Sequence, residues 1–289
     1  MARYDTISFL SDYGLADEFV GVVKSVVRQI APSALVIDIS HEVAPHDVRA
    51  GGLTLARSAQ YLAPGVVLAV VDPGVGTARR AVAVEVGDGA SVLVGPDNGL
   101  LAPAVGMVGG ATRAVELVNP AYHLAAPGPT FDGRDVFAPA AAHLCAGVPI
   151  GELGPDIDPV GMRPATLPIT REEHGALVAE VLWVDRYGNL QLNVDPDEVS
   201  TYGDRIRLRF TGTARTAVRV RAYAEVGTGQ IGLVVDSYGL LSIVVDRLSA
   251  AEELQLGAGD EVVLESIPDD EGSGSVTSTS VHLGQKGSR

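Results

Sequence analysis

Apolar positions in the first half of the chain fall in unbroken runs, Ile7 to Leu10, Ala34 to Ile39, Val66 to Val71, Ala81 to Val86 and Val92 to Val94. Between and after them come stretches with helical spacing, near Phe19 to Ile30, Asp47 to Ala59 and Val136 to Ala146. Strands apolar on both faces belong inside a covered sheet, so this alternation predicts an α/β domain, a mostly parallel sheet with helices on both faces. From Ala176 the rhythm changes to short β-branched runs punctuated by turns: Ala179 to Val184, Arg205 to Phe210, Ala217 to Val220, Ile231 to Val235, Leu241 to Val245 and Asp260 to Leu264. That pattern predicts a smaller C-terminal antiparallel β-barrel or sandwich. Pro155, Pro159, Pro164 and Pro168 interrupt the region between the two patterns. The expected organisation is an N-terminal domain over 1–165, a linker over 166–175, a β domain over 176–267 and a flexible Ser/Thr/Gly-rich tail over 268–289. No internal repeat is evident.

Composition narrows the function. The 289 residues are 46% hydrophobic, enough for two packed cores, and the formal charge is −15. An acidic surface repels nucleic acids and anionic membranes and attracts cations. No apolar stretch reaches the roughly 18 residues of a membrane span, and the N-terminus has no basic-then-apolar signal. The one cysteine, Cys145, excludes an intrachain disulfide, so a reducing, cytoplasmic location is expected.

Phosphate-binding loops, nucleophile elbows, paired-cysteine motifs and dinucleotide fingerprints are absent. His41, His46 and Asp47 could suggest a metal, but the intervening loop fixes no ligand geometry, and capping is the simpler role; no metal is expected. Four polar clusters stand where apolar runs end: Asp12 with Asp17, Asp72 with Arg79, Phe131-Asp132-Gly133-Arg134-Asp135, and Asp185-Arg186-Tyr187-Gly188-Asn189. In open α/β sheets ligands bind beyond the carboxyl ends of the strands, which is where the first of these fall.

Read in order, Phe9-Leu10-Ser11-Asp12-Tyr13-Gly14, Val71-Asp72-Pro73-Gly74-Val75-Gly76, Gly95-Pro96-Asp97-Asn98-Gly99, Phe131 to Pro139, Asp185 to Asn189 with Asn193, and Ser237-Tyr238-Gly239 resemble one family. It is the S-adenosylmethionine hydroxide adenosyltransferases, relatives of the fluorinase and chlorinase. The resemblance runs from about residue 7 to about residue 265. It implies hydrolysis of S-adenosylmethionine to adenosine and L-methionine, without a cofactor, in a homotrimer whose sites lie between one subunit's N-terminal domain and its neighbour's C-terminal domain. Position by position, it implies Asp12 as the ribose-gripping carboxylate, Asp185 and Ser237 as ligands of the methionine ammonium group, and Asn189 with backbone near Asp246 and Arg247 as adenine recognition. Asp17 and Tyr187 complete the substrate-binding set. Asp185 and Asn189 also suit a plain hairpin turn.

The leaving group of such a reaction is a neutral thioether, so the enzyme's task is to hold and deprotonate water. The resemblance implies a side-chain Asp, Arg and His for this task; Asp72 matches the Asp and Arg79 the Arg, Arg79 favouring hydroxide and Asp72 orienting it or the water. The third position departs: relatives commonly read Phe-His-Gly-Arg-Asp, and this chain has Asp132 in place of that histidine. Asp132 can serve as base if proximity to Asp72 makes one carboxylate harder to ionise. Gly133 is expected to leave room near the nucleophile. Two carboxylates beside the nucleophile repel a halide, which favours hydrolysis over its alternatives, a halogenase and a non-catalytic S-adenosylmethionine or nucleoside binder.

Overall fold

The computed structural model describes residues 4–267, so the tail expected over 268–289 lies outside the described residues. The chain divides into two compact units, the first ending at Leu167 and the second beginning at Pro168.

The first unit is built on seven strands: β1 (Thr6–Ser11), β2 (Leu35–Ser40), β3 (Val66–Val70), β4 (Ala81–Val86), β5 (Ser91–Pro96), β6 (Ala111–Glu116) and β7 (Asp156–Ile157), in the order β2-β1-β3-β5-β4-β6-β7. The block β2-β1-β3-β5 is parallel, and β4, β6 and β7 extend it by antiparallel pairing. Period-two geometry sorts the apolar strand residues to opposite faces. Ile7, Phe9, Val66, Leu68, Val92 and Val94 meet α1 (Phe19–Ile30) and α4 (Ala138–Cys145) in one core. Leu10, Val67, Ala69 and Leu93 meet α2 (Val48–Ala59) and α3 (Ala102–Met107) in the other. Helices therefore cover both faces. From β1 the chain passes through α1 out to β2, then through α2 on the opposite face to β3, on the far side of β1. That reversal opens a crevice beyond the carboxyl ends of β1 and β3.

The helix expected from Val136 starts earlier and differently, with a π-helical turn over Gly133–Phe137 that runs into α4. Pro139 explains the wider turn. It has no N–H to give the Asp135 carbonyl, and that carbonyl instead accepts from Leu124 N at 2.8 Å. Cys145 is buried in α4, and burial first, with the Asp5 charge second, pushes its thiol up to about 11, so it is an inert core filler.

The second unit is a closed seven-stranded barrel of β9 (Ala176–Val184), β10 (Leu190–Leu192), β11 (Arg205–Phe210), β12 (Thr213–Arg219), β13 (Ile231–Val235), β14 (Leu241–Val245) and β15 (Glu261–Ser266). Pairing of β10 with both β14 and β9 closes it. Alternation fills the interior: Ile206, Leu208 and Phe210 are buried while Arg205 and Arg209 face out. Ala250 and Leu254 of α5 (Ala250–Leu254) pack against the same core. A further short strand, β8 (Arg171–Glu173), lies within the stretch expected to be a linker and pairs beside β9. All three of its residues are polar and exposed, so no apolar signal marked it. No helix among the described residues is long and apolar enough to cross a membrane.

Candidate active site

Three adjacent strands, β2, β1 and β3, end at one side of the first unit. The loop His41 to Asp47 follows β2, Asp12 follows β1 and Asp72 follows β3. Together with the Pro127 to Arg134 segment they enclose a cleft of about 720 Å³. Beside its floor lies Arg79. Its Nε donates to Asp72 Oδ1 and Oδ2 at 3.0 Å each, and its Nη2 donates to Asp72 Oδ2 and to Asp132 Oδ2 at 2.5 Å each. The guanidinium also stacks on Phe137, 5.1 Å from the ring centre. Burial works against the cation, but the hydrogen bonds and charges of Asp72 and Asp132 outweigh it and hold Arg79 above its ordinary value. The carboxylate repulsion expected from simple proximity is therefore met by a cation lying between them.

The two carboxylates differ in what remains free. Both Asp72 oxygens accept from Arg79, so Asp72 fixes the arginine while also lining the cleft. Asp132 lines the cleft, gives Oδ2 to Arg79 and keeps Oδ1 without a partner among the described residues. Asp12 is similar: Oδ2 accepts from His46 N at 2.9 Å and Oδ1 is unengaged among the described residues. His46 holds a left-handed φ of 69°, which turns its N–H back toward Asp12. Asp47 caps α2 by accepting from Ala50 N at 2.8 Å. His41 is buried with Nδ1 2.8 Å from Ser11 Oγ, while its Nε2 sits 3.1 Å from Asp38 Oδ1 outside hydrogen-bonding alignment. Among the described residues no three His, Cys, Asp or Glu side chains cluster as metal ligands.

An aromatic wall closes one side of the cleft. Tyr13 lies 6.4 Å from Phe9, 5.7 Å from Phe19 and 5.6 Å from Phe131 between ring centres. Its hydroxyl fills the space that Gly133 was expected to leave open: a Cβ on Gly133 would stand 1.9 Å from Tyr13 Oη. Glycine is required there because the phenol occupies the side-chain position. Burial first, then the charges of Asp12, Asp72 and Asp132, raise the Tyr13 phenol far above its ordinary value despite Arg79, so it stays a neutral hydroxyl.

In the second unit a smaller pocket of about 140 Å³ is lined by Asp185, Asn189, Ser237 and their neighbours Trp183, Gln191, Tyr223, Asp236, Tyr238 and Ser242. Asp185 Oδ1 accepts from Tyr187 N and Asn189 N at 2.8 and 2.9 Å, and Oδ2 accepts from Asn189 Nδ2 at 2.8 Å. Asp236 repeats the device, Oδ1 accepting from Tyr238 N at 2.8 Å and Leu240 N at 3.3 Å. The sequences are Asp185-Arg186-Tyr187-Gly188 and Asp236-Ser237-Tyr238-Gly239, with Gly188 and Gly239 at φ 81° and 84°. The same four-residue turn thus recurs, and it marks two hairpin turns that face one pocket. Asp236 Oδ2 also accepts from Gln191 Nε2 at 2.6 Å and Ser242 Oγ at 2.9 Å, both on buried residues. Asp236→Ala would strand those donors and release the turn, so a loss of about 2–4 kcal/mol is expected in urea unfolding.

Comparison with known proteins decides the family. The family model described as SAM hydroxide adenosyltransferase N-terminal domain matches residues 7–154, and that of the C-terminal domain matches residues 179–263. The chain belongs to the SAM hydroxide adenosyltransferase family. It is 43% identical over 262 residues to a protein of Salinispora arenicola named (R)-S-adenosyl-L-methionine hydrolase, covering 91% of this chain and 98% of that one. A protein of Actinoplanes named Fluorinase is 27% identical, over 88% of this chain and 95% of its own length. The solved structure of an uncharacterized conserved protein from Thermotoga maritima superimposes with a TM-score of 0.83 at 35% identity, covering 90% of this chain and 99% of that one.

Against the positions that the SAM hydroxide adenosyltransferase pattern indicates, the first unit brings together Asp12, Asp72, Arg79 and Asp132. Asp17 is exposed and does not line the cleft. The second unit gathers Asp185, Asn189 and Ser237. Tyr187 is 80% exposed and does not line that pocket, and Asp246 and Arg247 form the turn after β14, Arg247 with φ 56°. Tyr13, Phe131 and Asp236 were not among the expected site residues; the aromatic spacing around Asp12 and Asp132 and the repeated Asp-x-Tyr-Gly were the signals available.

Proposed function

We propose that this protein hydrolyses S-adenosylmethionine, in the (R)-sulfonium form for which its relatives are named, to adenosine and L-methionine. The observation that carries this reading is the Arg79 guanidinium shared by Asp72 and Asp132, with one Asp132 oxygen free at the cleft. A cleft lined by Asp12, Asp72 and Asp132 suits a cationic sulfonium and is hostile to a halide nucleophile.

In the proposed step a water held in line with the C5′–S bond, at about 3 to 3.5 Å from the carbon, donates one hydrogen to Asp132 Oδ1. As the O–C5′ bond forms, the C5′–S electron pair passes to sulfur, the water's proton passes to Asp132 and then to solvent, and neutral methionine departs. No acid is needed on the leaving group and no cofactor takes part. Arg79 stabilises developing hydroxide character, and Asp72 fixes the arginine. Asp12 Oδ1 accepts from the ribose hydroxyls. Following the family resemblance, Asp185, Asn189 and Ser237 bind the methionine and adenine ends, and the working assembly is a cytoplasmic homotrimer in which a neighbouring subunit supplies them.

The test is incubation of the purified protein with each sulfonium epimer, with and without chloride, and identification of the nucleosides by mass spectrometry. Adenosine and methionine in both buffers are expected, with the (R) epimer preferred. A 5′-chloro nucleoside would indicate a halogenase, and tight binding without product a sensor; either overturns the hydrolytic reading.

A further inference from the structure

One acceptor does not orient a water molecule. Asp132 Oδ1 can take one hydrogen, but rotation about that bond leaves the lone pairs free to miss C5′, and in-line attack depends on their direction. The cleft holds one more uncharged polar group at the right place. Tyr13 lines it, and its Oη lies against the Cα of Gly133, the residue next to Asp132. No hydrogen-bond partner engages that hydroxyl among the described residues.

We propose that Tyr13 is the second anchor of the nucleophilic water, its Oη accepting the hydrogen that Asp132 does not take. This rests on the hydrolytic reading above. With both hydrogens directed to the protein, the water's lone pairs face the substrate. The ring cannot swing away, because Phe9, Phe19 and Phe131 surround it and the backbone at Gly133 backs the hydroxyl. Tyr13 neither gives nor receives a proton in the step: the water's proton goes to Asp132, and burial with the neighbouring Asp12, Asp72 and Asp132 charges keeps the phenol protonated, Arg79 alone pulling the other way. Gly133 follows as a structural necessity, since any side chain there would displace the anchor.

Tyr13→Phe keeps the ring, its aromatic neighbours and the space at Gly133, and removes only the oxygen. Expected is a fall in kcat of about 10- to 100-fold with an unchanged dissociation constant for S-adenosylhomocysteine, measured calorimetrically, and an unchanged thermal midpoint. Between pH 7 and about 10 the variant's rate profile should keep the wild-type shape at a lower level, because the phenol is not the base. Equal turnover in wild type and variant overturns the anchor and leaves the hydrolase standing. So does a loss matched by weaker binding of the thioether, or an alkaline limb that the variant loses. A wild-type protein that releases no adenosine from either epimer overturns the hydrolytic reading and the anchor with it.

Discussion

Asp132→Asn is expected to lower kcat by about 10²- to 10⁴-fold while affinity for S-adenosylhomocysteine and the thermal midpoint hardly change. The substitution is close to isosteric, and its two faces have separate tasks. The amide oxygen can replace Oδ2 as acceptor from Arg79 Nη2, preserving the contact now at 2.5 Å. The amide nitrogen then stands where Oδ1 stands, and it donates where the water needs an acceptor. Single-turnover rates with saturating substrate isolate the chemical step. A turnover within a few-fold of wild type would remove Asp132 as proton acceptor. The experiment bears on the family resemblance as well, because that resemblance implies histidine at the position of Asp132. Restoring that residue with Asp132→His tests whether the cleft accepts either base, and on the present geometry the imidazole must still hydrogen-bond Arg79 poorly, since a neutral ring offers one acceptor nitrogen where the carboxylate offers two oxygens.

The parts of the fold that were legible in the sequence are those in which one residue's environment is set by its immediate neighbours. Val66 to Val70 is apolar at every position because both faces of β3 are covered, and Val20, Val23, Val26 and Val27 repeat at helical spacing because α1 buries one side. Elements that lack such a signature were missed. The strand at Arg171–Glu173 is exposed and polar, and Leu190–Leu192 is only three residues long, although it closes the barrel. The candidate site divides in the same way. Asp12, Asp72 and Asp132 sit at turns that the ordered motifs single out, and the fold carries them to one cleft. What those carboxylates do was not legible, because it depends on which oxygens are already taken, and two of those partners come from distant segments: His46 for Asp12, Arg79 for Asp132. Gly133 is the clearest case. Its lack of a side chain reads as space, and the space belongs to Tyr13, brought from the end of β1.

Arg79→Ala should be the most damaging single change in the first unit, and two losses combine in it. The guanidinium is 10% exposed in its side chain and Asp72 only 6%, so removal of the arginine leaves a buried carboxylate without its cation. Breaking such a pair costs about 3–5 kcal/mol, and unfolding by urea should show that loss. Turnover should fall further than folding explains, because the same group stabilises the forming hydroxide. Arg79→Lys separates the two. An ammonium supplies the charge and so retains part of the stability, but it cannot present Nε and Nη2 to two carboxylates in one plane. A fall in kcat of about 10²- to 10³-fold is therefore expected in a lysine variant that still folds and still binds S-adenosylhomocysteine. If Arg79→Lys kept near-normal turnover, charge alone would suffice and the shared-nitrogen geometry would carry no catalytic meaning. Combining Arg79→Ala with Asp72→Asn completes the argument: residues that act as a unit lose activity once, so the double variant should be no slower than Arg79→Ala, and more stable, because the buried charge left unpaired by the first substitution is removed by the second.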